Sequence, residues 1–317
     1  MPQADRSTKR LNGMSANTVT TRTPLDSCLE QALDRLTSAP VCGYTPGGPA
    51  ASEPTAWSAL ALWASGRKEP ALQAAECLLG NQQRNGAVGV TPEDDLPAWT
   101  TSLAMLAWSA IDQKRYDEAI KRGASWALGQ KPWTAPPKPI FGHDTSIEGW
   151  SWAPDTHSWI EPTAFFVLAM KKTGIGANPR ACQGVEMLVD RLLPSGGANY
   201  GNTIVMGQEL LQHLQPSGIV AWTLAEERLE SDPWRNTLDY LHRAAREPTG
   251  VASLCYAVLG LAANGEDLTG LEEPLAEAGR RQLEDGGAYK LALFVLATLA
   301  LQGNAVAWDL AQPGETA

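Results

Sequence analysis

Carboxylic acids beside aromatic side chains are the residues of this sequence best suited to chemistry. Residues 150–159 hold three tryptophans around Asp155 and His157, and Glu161 follows two positions later. A carboxyl group that burial keeps protonated can donate a proton, and aromatic faces stabilise a developing cation. We therefore predict that this segment forms the rim of a cavity, with Glu161, Asp155 and His157 as candidate catalytic groups.

Asp94 and Asp95 are two further catalytic candidates, because they lie in an acidic segment just before an apolar run. An alternative stays open for each candidate. Glu161 can instead stabilise the start of a helix, where a carboxylate faces the positive end of the helix dipole. Asp155 can simply pair with His157, and Asp94 and Asp95 can be solvated in a loop.

Tryptophan is in excess, with 12 residues against 4 phenylalanines and 6 tyrosines. Several aromatic residues lie at or near the starts of apolar runs, where they could contact a substrate or pack in the core. The candidates for substrate binding are Trp57, Trp99, Trp152, Trp159, Phe165 and Trp222.

The elements that must position these residues are repeated helices. Glu-Pro-Thr-Ala or Glu-Pro-Thr-Gly occurs at residues 53–56, 161–164 and 247–250, each time before an apolar run. A proline at the first helical position, with a carboxylate just before it, is typical of a helix start. Stretches such as 116–129 and 179–193 lie between these runs and mix charged and apolar residues at a helical period.

Alternating apolar and amphipathic helices predict an all-α fold, because repeated helix pairs bury their faces only by stacking. We expect an α/α toroid of about six helix pairs, with inner and outer helices around an apolar cavity. The toroid is predicted over residues 24–311, after a flexible tail at 1–23. A long loop is predicted at 131–160, where Pro, Gly and Trp are frequent.

The glycine turns and the Pro-Thr-Ala helix starts resemble the prenyltransferase and squalene-oxidase repeats. Such repeats occur in squalene–hopene cyclases, other class II terpene cyclases and the β subunits of protein prenyltransferases. The resemblance covers roughly residues 25–303 and implies a single α/α toroid. It also implies that the middle of the toroid binds an isoprenoid.

The resemblance can be followed residue by residue. Class II cyclases protonate an alkene or epoxide with the middle Asp of Asp-x-Asp-Asp, and alignment on Thr163-Ala164 places Glu161 there, without acidic neighbours. Protein prenyltransferases hold Zn²⁺ with Asp, Cys and His, but the only Asp-x-Cys is at residues 26–28, on the first predicted helix. We therefore expect neither a metal nor a cofactor.

Charge and composition limit the partners. The net charge is −10 and no run of Lys and Arg exceeds two residues, which argues against nucleic acid as a partner. No apolar stretch is long enough for a membrane span, and five scattered cysteines indicate reduced thiols in the cytoplasm. A peripheral contact with a membrane or a partner enzyme stays open.

Three functions are compatible with this pattern. The first is a terpene-cyclase-like isomerase or lyase that binds an apolar isoprenoid and starts cyclisation with an acid. The second is a non-catalytic lipid-binding protein or interaction scaffold of the same fold. The third is a carbohydrate-active α/α barrel, which needs two carboxyl groups across a polar cleft.

Overall fold

The structure is a computed structural model of the 317-residue chain and describes residues 22–309. Thirteen α-helices lie in this range, and the predicted all-α class is confirmed. Their bounds are α1 (Pro24–Ser38), α2 (Ser52–Ala64), α3 (Lys68–Gly80), α4 (Thr101–Asp112), α5 (Asp117–Gly129), α6 (Ile160–Lys172), α7 (Pro179–Asp190), α8 (Leu214–Leu224), α9 (Asp232–Ala244), α10 (Val251–Ala263), α11 (Glu272–Asp285), α12 (Ala288–Leu301) and α13 (Val306–Asp309).

Three short elements interrupt the connections between these helices. Two are 3₁₀ helices, at Pro139–Phe141 and Ala225–Glu227. The third is an antiparallel hairpin of β1 (Ile204–Val205) and β2 (Gln208–Glu209). Residues 1–21 of the predicted tail lie outside the described residues. Residues 310–311 of the predicted toroid also lie outside them.

Six apolar helices contact one another in a closed circuit. The order is α2, α4, α6, α8, α10 and α12, with α12 packed against α2. Nearly every residue of these helices is buried, as expected for helices that are apolar on most faces. We call these six helices the inner ring.

Amphipathic helices pack around the inner ring. The helix α3 lies against α2 and α4, α5 against α4, α7 against α6, α9 against α8 and α10, and both α1 and α11 against α12. Each buries one side: α9, for example, buries Trp234, Thr237 and Leu241 at helical spacing. These contacts favour the predicted double ring, which stays our interpretation of them.

Two of the tryptophans form hydrogen bonds to the outer helices. The indole N–H of Trp108 in α4 donates a 3.1 Å hydrogen bond to the carbonyl oxygen of Ala75 in α3. Trp150 likewise donates a 2.9 Å bond to the carbonyl oxygen of Ala127 in α5. A buried indole N–H needs such an acceptor, so these two tryptophans have a structural role.

Two glycines allow α8 and α10 to approach closely. A Cβ at Gly218 would lie 2.5 Å from the carbonyl carbon of Tyr256, and a Cβ at Gly260 would lie 2.5 Å from the carbonyl oxygen of Gly218. Neither backbone could yield without separating the helices. The close contact between α8 and α10 therefore requires glycine at both positions.

The connections that lead into inner helices are long and carry the exposed apolar side chains. Four of them span residues 39–51, 81–100, 130–159 and 191–213. The large apolar side chains exposed in the described part of the chain all lie in these connections: Tyr44, Leu96, Trp133, Ile140, Phe141, Tyr200, Val205, Met206 and Leu211.

Between residues 22 and 309, no helix combines the length and apolar character needed to cross a bilayer. All five cysteines lie in this range and none forms a disulfide.

Candidate functional site

Glu53 and Glu161 lie in the first turns of two inner helices, four residues before Trp57 and Phe165 respectively. Residues four apart share a helix face. The ring centroids of Trp57 and Phe165 are 5.8 Å apart, so these faces of α2 and α6 meet in the middle of the inner ring. The fold thus directs two carboxyl groups from different repeats to the same place.

The helices begin earlier than the repeated tetrapeptide predicts. The helix α2 begins at Ser52 and α6 at Ile160, so each glutamate lies inside its helix and the proline occupies the third helical position. The predicted order, with the carboxylate outside and the proline first, is therefore wrong for α2 and α6. Glu247 does lie outside α10 and is exposed, but α10 begins only at Val251, so Pro248 is not the first helical residue there either.

Glu53 is half-buried and has one hydrogen-bond partner from outside its helix. The hydroxyl of Tyr44 donates a 2.6 Å bond to its Oε2 atom. Burial raises the pKa of Glu53 to about 7, the bond from Tyr44 lowers it, and the charge of Glu161 raises it. Glu53 is therefore partly protonated near neutral pH, as a general acid should be.

Glu161 is more deeply buried, with 8% of its surface exposed. Its Oε1 atom accepts a 2.9 Å hydrogen bond from the side-chain amide of Gln215, in the first turn of α8. Burial raises the pKa of Glu161 above its ordinary value, and the bond from Gln215 opposes the rise. Among residues 22–309, no lysine, arginine or histidine forms an ion pair with Glu53 or Glu161.

Two tyrosines complete this cluster. The hydroxyl oxygens of Tyr256 in α10 and Tyr289 in α12 are 3.2 Å apart. Burial raises the pKa of both phenols well above the ordinary value, and the charges of Glu53 and Glu161 add to the rise. Both tyrosines thus stay neutral and can donate hydrogen bonds. We call Glu53, Glu161, Tyr44, Gln215, Tyr256 and Tyr289 the carboxyl site.

Aromatic rings pack together beside the carboxyl site. The Trp57 centroid lies 5.9 Å from that of Tyr256 and 6.1 Å from that of Trp222. Tyr256 also lies 6.2 Å from Phe165. These four side chains are at most 3% exposed. The predicted substrate-binding residues Trp57, Phe165 and Trp222 therefore do meet, but they contact one another, and the middle of the inner ring is filled at their level.

Trp99 and Trp152 form a separate aromatic pocket. Their rings meet edge to face with centroids 4.6 Å apart. They border a cavity of about 100 Å³ together with Trp126, Gln130 and Asp155. Asp155 is exposed and has a positive φ of 59°. This pocket shares no residue with the carboxyl site.

His157 stacks on Trp159, with ring centroids 4.5 Å apart. The Nε2 atom of His157 is buried and has no hydrogen-bond partner among the described residues. No hydrogen bond or ion pair between described residues joins Asp155 to His157, so the predicted alternative of a pair between them is wrong. The backbone of Asp155 adopts the left-handed conformation.

Asp94 and Asp95 belong to their own loop. The Oδ2 atom of Asp94 accepts hydrogen bonds from the backbone N–H and the hydroxyl of Thr91, at 3.3 and 2.8 Å. Asp95 is exposed, and its carbonyl oxygen accepts a 3.1 Å bond from the side chain of Gln83. Neither aspartate has a contact with the carboxyl site.

The sequence pattern predicts a role for Glu161 but not for the rest of the carboxyl site. It indicates only a helix start for Glu53, and it does not single out Tyr44, Gln215, Tyr256 and Tyr289. One signal was available: Glu53 and Trp57 have the same spacing as Glu161 and Phe165. That spacing places a carboxyl group and an aromatic ring on one face in two repeats.

The residues of the site favour proton transfer. Glu53 has a pKa of about 7, Glu161 has a raised pKa, and the charge of Glu161 contributes to the rise at Glu53. In the described part of the chain, no group of three or more His, Cys, Asp and Glu side chains could hold a metal ion.

The sequence was compared with models of known protein families and with curated proteins, and it matches none of them.

Proposed function

We propose that the chain is a terpene-cyclase-like enzyme, an isomerase or lyase that starts its reaction by protonating an isoprenoid at the carboxyl site. The observation that supports this most is the meeting of Glu53 and Glu161. Glu161 has no acidic neighbours in the sequence, but its charge raises the pKa of Glu53, which lies in the first turn of α2. A neighbouring carboxylate is one of the factors that keep a carboxyl group protonated.

The reaction we propose begins on protonated Glu53. Its proton adds to one carbon of an alkene, the π electrons form the new C–H bond, and the neighbouring carbon becomes a cation. A second double bond of the same molecule attacks this cation and closes a ring. Loss of a proton to an ionised carboxylate of the pair then gives a neutral product. The charge of Glu161 would stabilise the carbocation, since no described lysine, arginine or histidine forms an ion pair with Glu161.

The exposed apolar connections support an apolar substrate. Tyr44 precedes α2, Trp133 and Phe141 precede α6, and Met206 and Leu211 precede α8. We propose that this surface contacts a lipid layer or a partner enzyme from which the substrate arrives. A cytoplasmic location is part of the same proposal and is supported by the five unpaired cysteines.

The packed aromatic rings favour a second candidate. If Trp57, Phe165, Trp222 and Tyr256 keep their contacts, no long isoprenoid enters the middle of the inner ring, and the chain acts as a non-catalytic binding protein or scaffold. A third candidate is a carbohydrate-active enzyme. The hydroxyl groups of Tyr44 and Tyr289 beside two carboxyl groups suit a polar ligand such as a sugar.

The test is the incorporation of solvent deuterium into the product. The purified chain in D₂O is given squalene or a shorter polyprenyl substrate, and products are analysed by mass spectrometry. Acid initiation predicts a cyclic product that carries one deuterium at the protonated carbon. Glu53→Gln and Glu161→Gln should each reduce its yield by at least about a hundredfold.

Glu247→Gln is the matched control, because Glu247 also begins a Glu-Pro-Thr sequence but is exposed and lies outside the carboxyl site. It should turn over at the wild-type rate. If no polyprenyl substrate is turned over, the enzymatic proposal fails. Cleavage of a glycoside by wild-type chain, lost in Glu53→Gln, would establish the third candidate instead.

A further inference from the structure

A second pocket lies beneath the long connection between α5 and α6. Its volume is about 150 Å³, and Trp133, Phe141 and Ile147 form much of its apolar wall. His143, His157 and Arg191 supply polar groups. None of these residues belongs to the carboxyl site, so an occupant of this pocket need not be the substrate proposed above.

The size of the pocket matches a single six-membered ring. A cavity of about 150 Å³ with apolar walls can hold benzene. Trp133 is 61% exposed and Phe141 is 37% exposed, although both are large apolar side chains that border the pocket. A bound ring would cover part of this apolar surface, which favours binding.

His157 provides a polar group without a partner. Neither ring nitrogen has a hydrogen bond to a described residue; Nε2 is fully buried, whereas Nδ1 is not and is the nitrogen that a ligand can reach. Burial and the charge of Arg191 lower the pKa of His157, so the imidazole is neutral near pH 7. A neutral imidazole has one N–H donor and one acceptor nitrogen. A hydroxyl group can satisfy either, because it both donates and accepts.

His143 has a defined tautomer. The hydroxyl of Thr203 donates to the carbonyl oxygen of Phe141 at 3.0 Å, so its oxygen accepts from the Nδ1–H group of His143 at 3.0 Å. We assign the proton of His143 to Nδ1 on this basis, which makes Nε2 an acceptor. Burial and Arg191 also lower the pKa of His143.

Arg191 limits the charge of the ligand. Its side chain is 4% exposed, and its Nε atom lies 3.3 Å from Oδ2 of Asp190. Its two terminal nitrogens donate to the carbonyl oxygens of Gly201 and Asp144. The positive charge disfavours a cationic ligand, while the existing bonds leave Arg191 poorly placed to bind an anion.

We propose that this pocket binds a small neutral aromatic alcohol of the size of phenol. The ring would lie against Trp133, Phe141 and Ile147, and the hydroxyl group would bond to Nδ1 of His157. The pocket would thus recognise the combination of an apolar ring with one hydroxyl group.

The test compares phenol, benzene and benzoate on the full chain by titration calorimetry and NMR of ¹⁵N-labelled histidine. We expect phenol to bind about fivefold to tenfold more tightly than benzene, and to shift the ring nitrogen signals of His157. Benzoate should bind more weakly than phenol. The substitution His157→Leu should remove the preference for phenol over benzene.

His213→Leu is the control, since His213 is exposed and does not border the pocket; it should keep the preference. Ile147→Trp should fill the pocket and abolish binding of both phenol and benzene. If His157→Leu does not fold, the shift of the His157 ring nitrogen signals in the wild-type chain still tests the proposal. The proposal is overturned if phenol does not bind at millimolar concentration, if benzene or benzoate binds equally well, or if the His157 signals do not move.

Discussion

The hydroxyl group of Tyr44 donates a 2.6 Å hydrogen bond to Glu53, from a connection that precedes the helix carrying the carboxyl group. This bond favours the ionised form of Glu53, whereas burial and Glu161 favour the protonated form. The proton affinity of Glu53 is therefore set by burial and by two groups from other parts of the chain, Tyr44 and Glu161. Each of these two groups can be removed by a substitution.

Tyr44→Phe should raise the pKa of Glu53 above its value of about 7, because the carboxylate loses a donor. Carboxyl ¹³C NMR across a pH titration measures this. Tyr116→Phe is the control: Tyr116 also donates to a glutamate, at 2.7 Å to Glu76, but outside the carboxyl site. A Glu53 pKa that stays unchanged in Tyr44→Phe would show that the bond does not form in solution.

Glu161→Gln should lower the pKa of Glu53, because the negative charge that opposes its ionisation disappears. Glu247→Gln should leave the Glu53 titration unchanged. The same carboxyl NMR titration measures both variants. If Glu161→Gln leaves the pKa of Glu53 unchanged, the two carboxyl groups do not interact.

The helices were predictable from sequence because their signals are local. The apolar runs that follow the tetrapeptides at 53–56 and 161–164 form α2 and α6, and the amphipathic stretch at 179–193 contains α7. Each assignment needed only the residues of one segment, since periodicity and turn residues act within a few positions. The helix starts were less accurate, because packing extends α2 and α6 before their prolines.

The carboxyl site was not predictable because it depends on which helices face each other. Glu53, Glu161 and Glu247 each begin a Glu-Pro-Thr sequence, yet only the first two enter the site. Conversely, Asp155 and His157 are neighbours in sequence, but no hydrogen bond or ion pair joins them in the structure. Proximity across the inner ring is a property of tertiary packing, which no segment encodes alone.

Relative to wild type, Glu53→Gln should stabilise the chain more at pH 8 than at pH 5. The pKa of Glu53 rises from an ordinary 4.5 to about 7 on folding, so the folded state binds the proton more tightly than the unfolded state. This contribution to stability is complete below pH 4.5 and is lost as the pH rises through 7. The difference between variant and wild type should grow by at most about 3 kcal/mol over this range.

Urea denaturation at several pH values measures that difference, with Glu247→Gln as the control that should show no dependence. A glutamine keeps an oxygen that can accept the bond from Tyr44, so the substitution mainly removes the charge. A constant difference between Glu53→Gln and wild type from pH 5 to pH 8 would contradict the raised pKa.

Trp57→Ala tests whether the packed aromatic rings close the middle of the inner ring. Trp57 is fully buried and contacts Phe165, Trp222 and Tyr256, so its loss should destabilise the chain by about 3–5 kcal/mol. Leu211→Ala is the control, because Leu211 is 80% exposed and its loss should cost about 0.5 kcal/mol or less. The midpoint of urea unfolding measures both. If the middle is filled as the contacts indicate, Trp57→Ala should gain a benzene site that neither wild type nor Leu211→Ala has. A Trp57→Ala chain with unchanged stability would mean that Trp57 lines an open space, and the isoprenoid cavity predicted from sequence would then be present in the wild-type chain.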